Sequence, residues 1–413
     1  MAPVYYGWWI VLACSAITSY NAGILFYGFT AFFNPLIREF GWSRAATSLA
    51  FGLYRLEGGL AAPLVGFLID RLGPRKMMMA AVTTVGLGFI LLSRINSLES
   101  FYAVFLFIAL GNSLGFVSVG TYSAANWFVK KRGTVLGIFF VGISLSGLVV
   151  PVLTWIITTW GWRTAAAAAG IGMWIIGVPL TMVIRRRPEQ YGLLPDGETP
   201  EKNAPSQSTA TGACRPVMNE REYTFREAVR TKSFWLYSLA LIIPMMSTAA
   251  LFVHEMPFLL QAGIPAESAA LVVTGTVLVS GLGRLGFGWM ADRFNKRHIM
   301  SIAMASQCIG ILFFVNIHAL WHVVPFILFF SVGYGGMTPL RAAIQAEYFG
   351  TVAFGTIQGV LYGIWTAGTV LGPVIAGGFY DITGDYRTVF MIFGVMTLIP
   401  IPLMLASRPP RRG

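Results

Sequence analysis

Charged residues are scarce in this chain of 413 residues. Only 11% of its residues are Asp, Glu, Lys or Arg, whereas 56% are hydrophobic. A soluble globular domain usually carries about 25% charged residues. The shortage excludes a cytosolic enzyme with a polar surface and a disordered chain, because both need more charge to stay solvated. It indicates a chain surrounded largely by lipid.

Cysteine and histidine are also few. The chain has three cysteines and four histidines; Cys14 and Cys308 lie in apolar runs and Cys214 in a polar stretch. Their spacing gives neither a disulfide framework nor a metal-ligand pattern. The sequence contains no Walker loop and no HExxH motif, and its glycine-rich strings lie in hydrophobic segments, where they make poor nucleotide sites. We therefore expect no metal, no cofactor and no enzymatic activity.

Long hydrophobic runs dominate what is present. A bilayer core about 30 Å thick is crossed by roughly 20 apolar residues in a helix. We predict an all-α integral membrane protein with twelve transmembrane helices in two sets of six, near residues 8–34, 46–69, 77–93, 101–125, 134–158 and 164–184, then 234–260, 268–290, 299–318, 321–346, 355–379 and 388–406. The first run is long and no small-residue cleavage site follows it, so we expect it to be retained.

Basic residues concentrate on one side of the membrane. With the N-terminus placed inside and the loops alternated, 21 of the 29 Lys and Arg lie on the inner side, 5 outside and 3 within spans. This bias predicts that both termini are cytoplasmic, in the cell inner membrane. It also accounts for the net charge of +12 without a nucleic-acid partner. The polar stretch 185–232 is predicted to be a cytoplasmic linker between bundles at 1–184 and 233–413.

The two halves repeat at an offset of 222 residues. The matched positions pair Pro35 with Pro257, Gly41 with Gly263, Gly66, Asp70, Arg71 and Arg75 with Gly288, Asp292, Arg293 and Arg297, Gly133 and Gly137 with Gly355 and Gly359, and Pro151 with Pro373. A parallel repeat of six-helix bundles implies a pseudo-twofold axis along the membrane normal. Substrate is then expected between the halves near mid-membrane, and rocking of one half against the other gives alternating access.

Residues 66–76, Gly-Phe-Leu-Ile-Asp-Arg-Leu-Gly-Pro-Arg-Lys, resemble a signature of the major facilitator superfamily, and a weaker copy occupies 288–297. The resemblance implies that superfamily's fold over the whole chain. It also implies a gating role for Asp70, Arg71, Asp292 and Arg293, whose charge-assisted contacts would close one state and break in the other. The alternative is that these charges only set the topology.

A finer resemblance is to the monocarboxylate transporters and the related oxalate–formate antiporters. Residues 6–9, Tyr-Gly-Trp-Trp, are similar to a degraded first motif of that family, residues 127–137 resemble its second motif, and Gly283-Arg284-Leu285 matches the position of its substrate arginine. The family's lysine on helix one and its acid on helix eight are replaced here by Tyr27 and Ser280. The family's lysine–acid proton relay therefore does not carry over.

Four ionisable residues lie in the middle of predicted spans. They are functional candidates because charge in hydrocarbon is costly. Arg284 precedes Asp292, at the inner end of its helix, by eight residues, or about 12 Å of depth. We expect its planar guanidinium to bind the substrate carboxylate; the alternative is a structural arginine paired with Glu57 or a backbone carbonyl. Arg55 is a second anion contact or a structural partner of Glu57, whereas Arg341 is interpreted as structural, with its side chain snorkelling to the interface.

Other residues complete the predicted site. Glu57, His254 and Glu255 are the remaining titratable candidates for proton coupling, with a backbone-bonded helix-end histidine as the alternative for His254. Tyr334, Thr338 and Arg341 share one helix face. The expected cavity wall beside Arg284 is Tyr27, Asn112, Tyr122, Tyr334, Thr338, Tyr362 and Trp365, although each aromatic could equally serve helix packing.

The sequence thus predicts a monomeric secondary transporter, embedded in the lipid bilayer, of small monocarboxylates such as lactate or pyruvate, with a proton as the coupled ion. The alternative is a carboxylate exchanger of the oxalate–formate antiporter kind. An Arg284–Arg55 pair that faces one cavity would favour this alternative, since a dicarboxylate calls for two cationic contacts.

Overall fold

The computed structural model describes residues 5–128, 132–191, 193–194, 223–350 and 353–410, without the side chains of residues 59–60, 62–64, 66, 70, 125, 132–134, 292 and 354–355. The helices of the N-terminal half are α1 (Tyr6–Phe40), α2 (Arg44–Leu72), α3 (Pro74–Leu92), α4 (Leu98–Leu114 continued by Val117–Trp127), α5 (Arg132–Ser144 continued to Val149–Trp160) and α6 (Trp162–Val183). Those of the C-terminal half are α7 (Lys232–Gln261), α8 (Ala266–Arg293), α9 (Lys296–Val315), α10 (Leu320–Phe349), α11 (Phe354–Thr383) and α12 (Arg387–Ala406).

The predicted twelve-helix architecture is confirmed over the described residues. Eleven of the helices are long and apolar enough to cross a membrane. The remaining one, α2, has 29 residues, enough to cross a bilayer core, and carries Arg55 and Glu57. The linker is described only at its two ends, where Pro188–Tyr191 forms one 3₁₀ turn and Phe225–Arg230 a short helix capped reciprocally by Thr224 and Glu227. Its central residues, 195–222, lie outside the described part.

The internal repeat is visible in matched details of the backbone and the side chains. Gly41 ends α1 with φ of +67° and Gly263 follows α7 with φ of +83°, a left-handed geometry that glycine adopts without a Cβ clash. Near the ends of α2 and α8, the Arg71 guanidinium lies 4.6 Å from the Phe67 ring centroid and that of Arg293 3.9 Å from Trp289. All of these residues obey the 222-residue offset.

Two ends of the molecule are distinguished by charge. The end that carries Arg71, Arg75, Lys76, Arg293 and Lys296 is called the basic end. The opposite end, where α2 starts and α11 ends, is called the far end. A large buried apolar cluster takes nearly all its members from residues 10–184, and a second lies within residues 223–404. A third cluster joins α1 and α5 to α7, α8 and α10. Each half therefore has its own core, and a shared core holds the halves together.

The far end is closed by a polar latch between α2 and α11. Asp381 accepts hydrogen bonds from the backbone N–H groups of Arg44 and Ala45, both at 3.0 Å. These are two of the N–H groups that the first turn of a helix leaves unpaired, and the positive end of the helix dipole favours a carboxylate there. The Arg44 side chain donates to Asn34 and to the Tyr386 hydroxyl, each at 2.9 Å. We call these contacts the Arg44–Asp381 latch.

The cavity between the halves widens toward the basic end. On α11 near the latch, a Cβ at Gly377 would lie 2.7 Å from the backbone of Arg44, so only glycine permits this approach of the halves. On α5 in the basic half, Gly137 lines the cavity and a Cβ there would meet no described atom within 4 Å. The Tyr362 side chain on α11 is 44% exposed. Access to the cavity is thus from the basic end.

Loss of the Asp381 carboxylate should loosen the far end. Asp381→Asn removes a charged acceptor at a helix N-terminus, which costs about 1–2 kcal/mol and shifts the closed and open populations by roughly 5–30-fold. The reporter is the Ala376→Cys variant in a chain whose Cys14, Cys214 and Cys308 are replaced by alanine. The measurement is the rate at which a membrane-impermeant maleimide, applied from the far-end side, labels the introduced cysteine. Ala376 is buried, so faster labelling reports opening.

The matched control is Asp385→Asn. The Asp385 carboxylate accepts from Gln261 and Arg387 of its own half, so labelling of Ala376→Cys should stay at the parental rate. Equal rates in the Asp381 variant and its parent would contradict the latch.

Candidate functional site

A cavity of about 400 Å³ lies between the halves. Its walls are built by α1, α2, α4 and α5 of one half and by α8, α10 and α11 of the other. The side chains used below, in chain order, are Asn21, Phe26, Tyr27, Tyr54, Arg55, Asn112, Ser113, Phe116, Phe140, Arg284, Tyr334, Thr338, Arg341 and Tyr362. A narrower branch of about 150 Å³ extends from it past Trp365.

Irregular helix geometry positions several of these side chains. Tyr27 ends a π-helical stretch of α1, Ala22–Tyr27, and Tyr334 follows another in α10, Ile327–Ser331. α4 is interrupted at Gly115 and Phe116, where Phe116 has φ of +53°. Such interruptions re-aim side chains, and within a membrane they are tolerated where protein or a cavity surrounds the backbone. The irregular segments of α1 and α4 lie at the cavity wall, and the irregular segment of α10 directly precedes the wall residue Tyr334.

Arg284 reaches from α8 across to the other half. Its Nη1 donates to the Phe140 carbonyl at 3.1 Å and to Ser144 Oγ at 2.8 Å, both on α5. The side chains of Tyr27 and Tyr334 line the cavity together with Arg284. Arg284 Nε is buried without a partner. The sequence suggested Glu57 or a backbone carbonyl as a structural partner of Arg284. The structure shows a backbone carbonyl, and the Nε end of the guanidinium group has no partner.

The other wall residues predicted from the sequence divide into three groups. Asn112, Thr338 and Tyr362 line the main cavity with Tyr27 and Tyr334. Trp365 lines the narrower branch and donates from Nε1 to the Ser238 carbonyl at 3.1 Å. Tyr122 packs against the apolar core of the N-terminal half instead, since its position on α4 turns it toward that core.

Three arginines share the cavity. Besides Arg284, both Arg55 and Arg341 line it, whereas the sequence left Arg55 open and interpreted Arg341 as snorkelling. The Arg55 guanidinium lies 4.3 Å from the Phe26 ring centroid and 5.4 Å from that of Phe51. Among the residues that line the described cavity there is no Asp or Glu. The positive charge is therefore not neutralised by an acid on the wall.

The titratable candidates lie behind the wall or beyond it. Glu57 Oε2 accepts from Ser113 Oγ at 2.7 Å, and Ser113 lines the cavity. Glu255 is fully buried between α7 and α8, where Thr276 Oγ1 donates to it at 2.8 Å. His254 lies beside the latch, with Nδ1 2.9 Å from the Tyr386 hydroxyl and Nε2 2.9 Å from the Pro373 carbonyl. Only Glu57 is one hydrogen bond from the cavity.

The predicted gating residues are described in part. Arg71 and Arg293 are exposed at the basic end and stack on aromatic rings of their own helices. The side chains of Asp70 and Asp292 lie outside the described part of the structure. At the far end, the described contacts between the halves include the Arg44–Asp381 latch.

Sequence reasoning missed several residues of the site. Asn21 is one of them: its Nδ2 donates to Oδ1 of the predicted wall residue Asn112 at 2.7 Å. Tyr54 and Ser113 also line the cavity. An asparagine in an apolar span is a usable signal, since its amide must find a partner there. The signal for Arg44 and Asp381 is weaker, because charged residues at helix ends are common in any membrane protein.

Comparison with known proteins fits this architecture. The sequence model of the Major Facilitator Superfamily matches residues 9–270 and 255–413. Monocarboxylate transporter 12-B of Danio rerio is 24% identical over 427 residues, covering 97% of this chain and 87% of that protein. The oxalate:formate antiporter of Oxalobacter formigenes is 23% identical over 400 residues, covering 96% of this chain and 90% of that protein.

A solved structure with the same fold is that of a bacterial homologue of the human lysosomal transporter Spinster in an inward-facing and occupied conformation. It superposes with a TM-score of 0.73 at 15% sequence identity and covers 97% of both chains. The family-model match spans both halves, and the twelve-helix architecture and the 222-residue repeat agree with it. The chain is therefore a multi-pass membrane protein that belongs to the major facilitator superfamily of transporters.

Proposed function

We propose that this protein is a secondary transporter of small carboxylate anions that works by alternating access, with Arg284 as the carboxylate-binding residue. The observation that carries the proposal is the position of Arg284, a permanent cation of one half that lies in the central cavity and bonds to the other half. The relatives whose names specify monocarboxylates, oxalate and formate support the substrate class.

The chemistry of Arg284 suits this role. Its two bonds to α5 use Nη1 alone, and Nε is left without a partner, so donors remain for a carboxylate. A guanidinium binds a carboxylate through two parallel N–H···O bonds and does not deprotonate. An anion at this position touches both halves, because Phe140 and Ser144 belong to one and Arg284 to the other. Binding of the anion can therefore change the orientation of the two halves relative to each other.

Exchange of carboxylates is the coupling that the cavity favours. When the halves close around an empty cavity, three guanidinium groups lose water without gaining a carboxylate, and the penalty is several kcal/mol per ion. A bound anion offsets that penalty. The loaded carrier can then change orientation more easily than the empty one, which is the condition for exchange.

Proton-coupled symport is the second candidate, and Glu57 is the observation that favours it. The Glu57 carboxyl lies behind the cavity wall and accepts from Ser113, while its Oε1 is buried without a partner. A carboxyl so placed can take a proton when the cavity is open to water. Entry of an anion with a proton is electroneutral, so the membrane potential does not oppose it.

The proposed orientation places the basic end in the cytoplasm of the cell inner membrane, with both termini inside, because Lys and Arg favour that side. In this orientation the described state is open inward and closed outward. The proposed units are the bundles 1–184 and 233–413 joined by the linker 185–232, in a monomer.

Replacement of Arg284 should abolish transport. Arg284→Ala removes the cation, and Arg284→Lys removes the planar group that binds a carboxylate through two bonds. Uptake of radiolabelled formate, lactate and oxalate into proteoliposomes should fall by about 10–100-fold, which corresponds to the loss of one charged hydrogen bond or more. Arg94→Gln is the control, since Arg94 is an exposed arginine in the loop after α3. Normal uptake by both Arg284 variants, with gel-filtration profiles like wild type, would refute the assignment.

The two couplings give opposite results in one assay. For exchange, labelled oxalate or formate should accumulate only in proteoliposomes preloaded with unlabelled carboxylate, and an imposed pH gradient should have little effect. For symport, an inward proton gradient should drive uptake into empty vesicles, and Glu57→Gln should abolish this response while the Glu99→Gln control keeps it. Accumulation in empty vesicles under a pH gradient would therefore overturn exchange.

A further inference from the structure

The narrow branch of the cavity contains two of the three arginines. Arg55 of α2 and Arg341 of α10 both line this space of about 150 Å³. We propose that the branch is a second anion subsite and that the preferred substrates are short dicarboxylates, one carboxylate binding at Arg284 and the other between Arg55 and Arg341. This inference rests on the proposed carboxylate transport and specifies its substrate class.

Arg55 is held in place by aromatic rings and not by hydrogen bonds. Its guanidinium lies near the ring centroids of Phe26, Phe51 and Tyr54, at 4.3, 5.4 and 5.9 Å. Ring contacts use the face of the guanidinium and leave its edge, which bears the N–H groups, for another partner. Arg55 Nε is buried without a hydrogen-bond partner, and leaving a buried charged donor unsatisfied is costly. An anion would remove this cost.

Arg341 is similarly short of partners. Its Nη1 lies 3.4 Å from the thioether sulfur of Met245, a weak acceptor, and its guanidinium is 5.7 Å from the Trp365 ring. Tyr237 bonds to the Arg341 backbone carbonyl, which fixes the main chain but does not neutralise the charge. No described carboxylate lies within ion-pair distance of either arginine.

The threonine hydroxyl groups of the branch do not compete for this role. Thr248 and Thr366 donate to the carbonyls of Pro244 and Tyr362 on their own helices, at 2.7 and 2.8 Å, and Thr369 donates to the Thr366 carbonyl at 2.9 Å. Besides the two guanidinium groups, the hydroxyls of Tyr334 and Tyr362 line the branch and can donate to the same ligand. The ligand it selects is an anion.

The size and position of the branch limit the ligand. A space of about 150 Å³ has room for roughly five water-sized groups, enough for a carboxylate with one or two methylenes but not for a large head group. Arg55 lies 17 residues before the basic-end terminus of α2 and Arg284 nine before that of α8, depths of about 25 and 13 Å. These are depths of backbone positions. The three arginine side chains converge on the main cavity, which all of them line, so a short dicarboxylate can contact more than one of them.

Acetate and malonate provide a matched test, because malonate is acetate with a second carboxylate. The experiment is self-exchange of each labelled acid in proteoliposomes that contain the full chain. The variants are Arg55→Gln, Arg341→Gln and the charge-retaining Arg55→Lys and Arg341→Lys, with Arg94→Gln as the control. We expect each glutamine variant to raise the KM for malonate by at least about 10-fold and that for acetate by less than about 3-fold. The lysine variants should lie between wild type and glutamine, and the control should match wild type.

Three results would overturn the second subsite. One is wild-type exchange of acetate without malonate, and another is an unchanged malonate KM in both glutamine variants. The third is an equal rise for both acids, which would indicate general damage. Gel-filtration profiles like wild type verify folding of each variant, and if Arg55→Gln fails that check, Arg341→Gln and the lysine variants decide. Absence of exchange with any carboxylate, including formate and oxalate, would instead refute the proposed function.

Discussion

The cost of holding three guanidinium groups in one membrane cavity is the constraint on which the rest of the structure depends. Arg55, Arg284 and Arg341 cannot lose their protons, and the described cavity lining offers them no carboxylate. They are tolerated because aromatic rings, a backbone carbonyl and hydroxyl oxygens surround them, and because the cavity opens to water at the basic end. A chain that needed only a stable helical bundle would avoid such charges. Their presence indicates a ligand that supplies the missing negative charge.

The two ends of the molecule differ in structure: the far end is closed and the basic end is open. At the far end, close backbone approach at Gly377 and the contact between Asp381 and the start of α2 join the two halves. The cavity is lined by irregular segments of α1 and α4 and by Tyr334, which follows the irregular segment of α10. These irregular segments provide backbone and side-chain polarity at mid-membrane, where a regular helix would present only apolar groups. Closure at one end and polarity in the middle are the features that the proposed alternating-access cycle requires in one of its states.

Much of this architecture can be predicted from the sequence because its signals are local. Hydropathy locates the helices, and paired glycines such as Gly41 and Gly263 reveal the repeat because each adopts the same left-handed turn. The depth of Arg284 follows from counting residues to Asp292. What counting does not provide is the rotation of a helix about its axis. The sequence predicts Tyr122 at the wall and a structural, snorkelling Arg341, whereas Tyr122 packs against the apolar core of the N-terminal half and Arg341 lines the cavity. The interruption at Phe116 and the latch depend on contacts between distant segments, which no local pattern encodes.

The latch also has a consequence for sequence variation. Asp381 binds backbone N–H groups of residues 44 and 45, and every residue except proline provides that group. Substitutions at position 44 would remove the bonds to Asn34 and Tyr386 yet keep both bonds to the carboxylate. Position 381 has no such freedom, because the acceptor there is the side chain itself. Mutational tolerance is therefore unequal on the two sides of one interface, and a library of variants at both positions would be depleted almost entirely at 381.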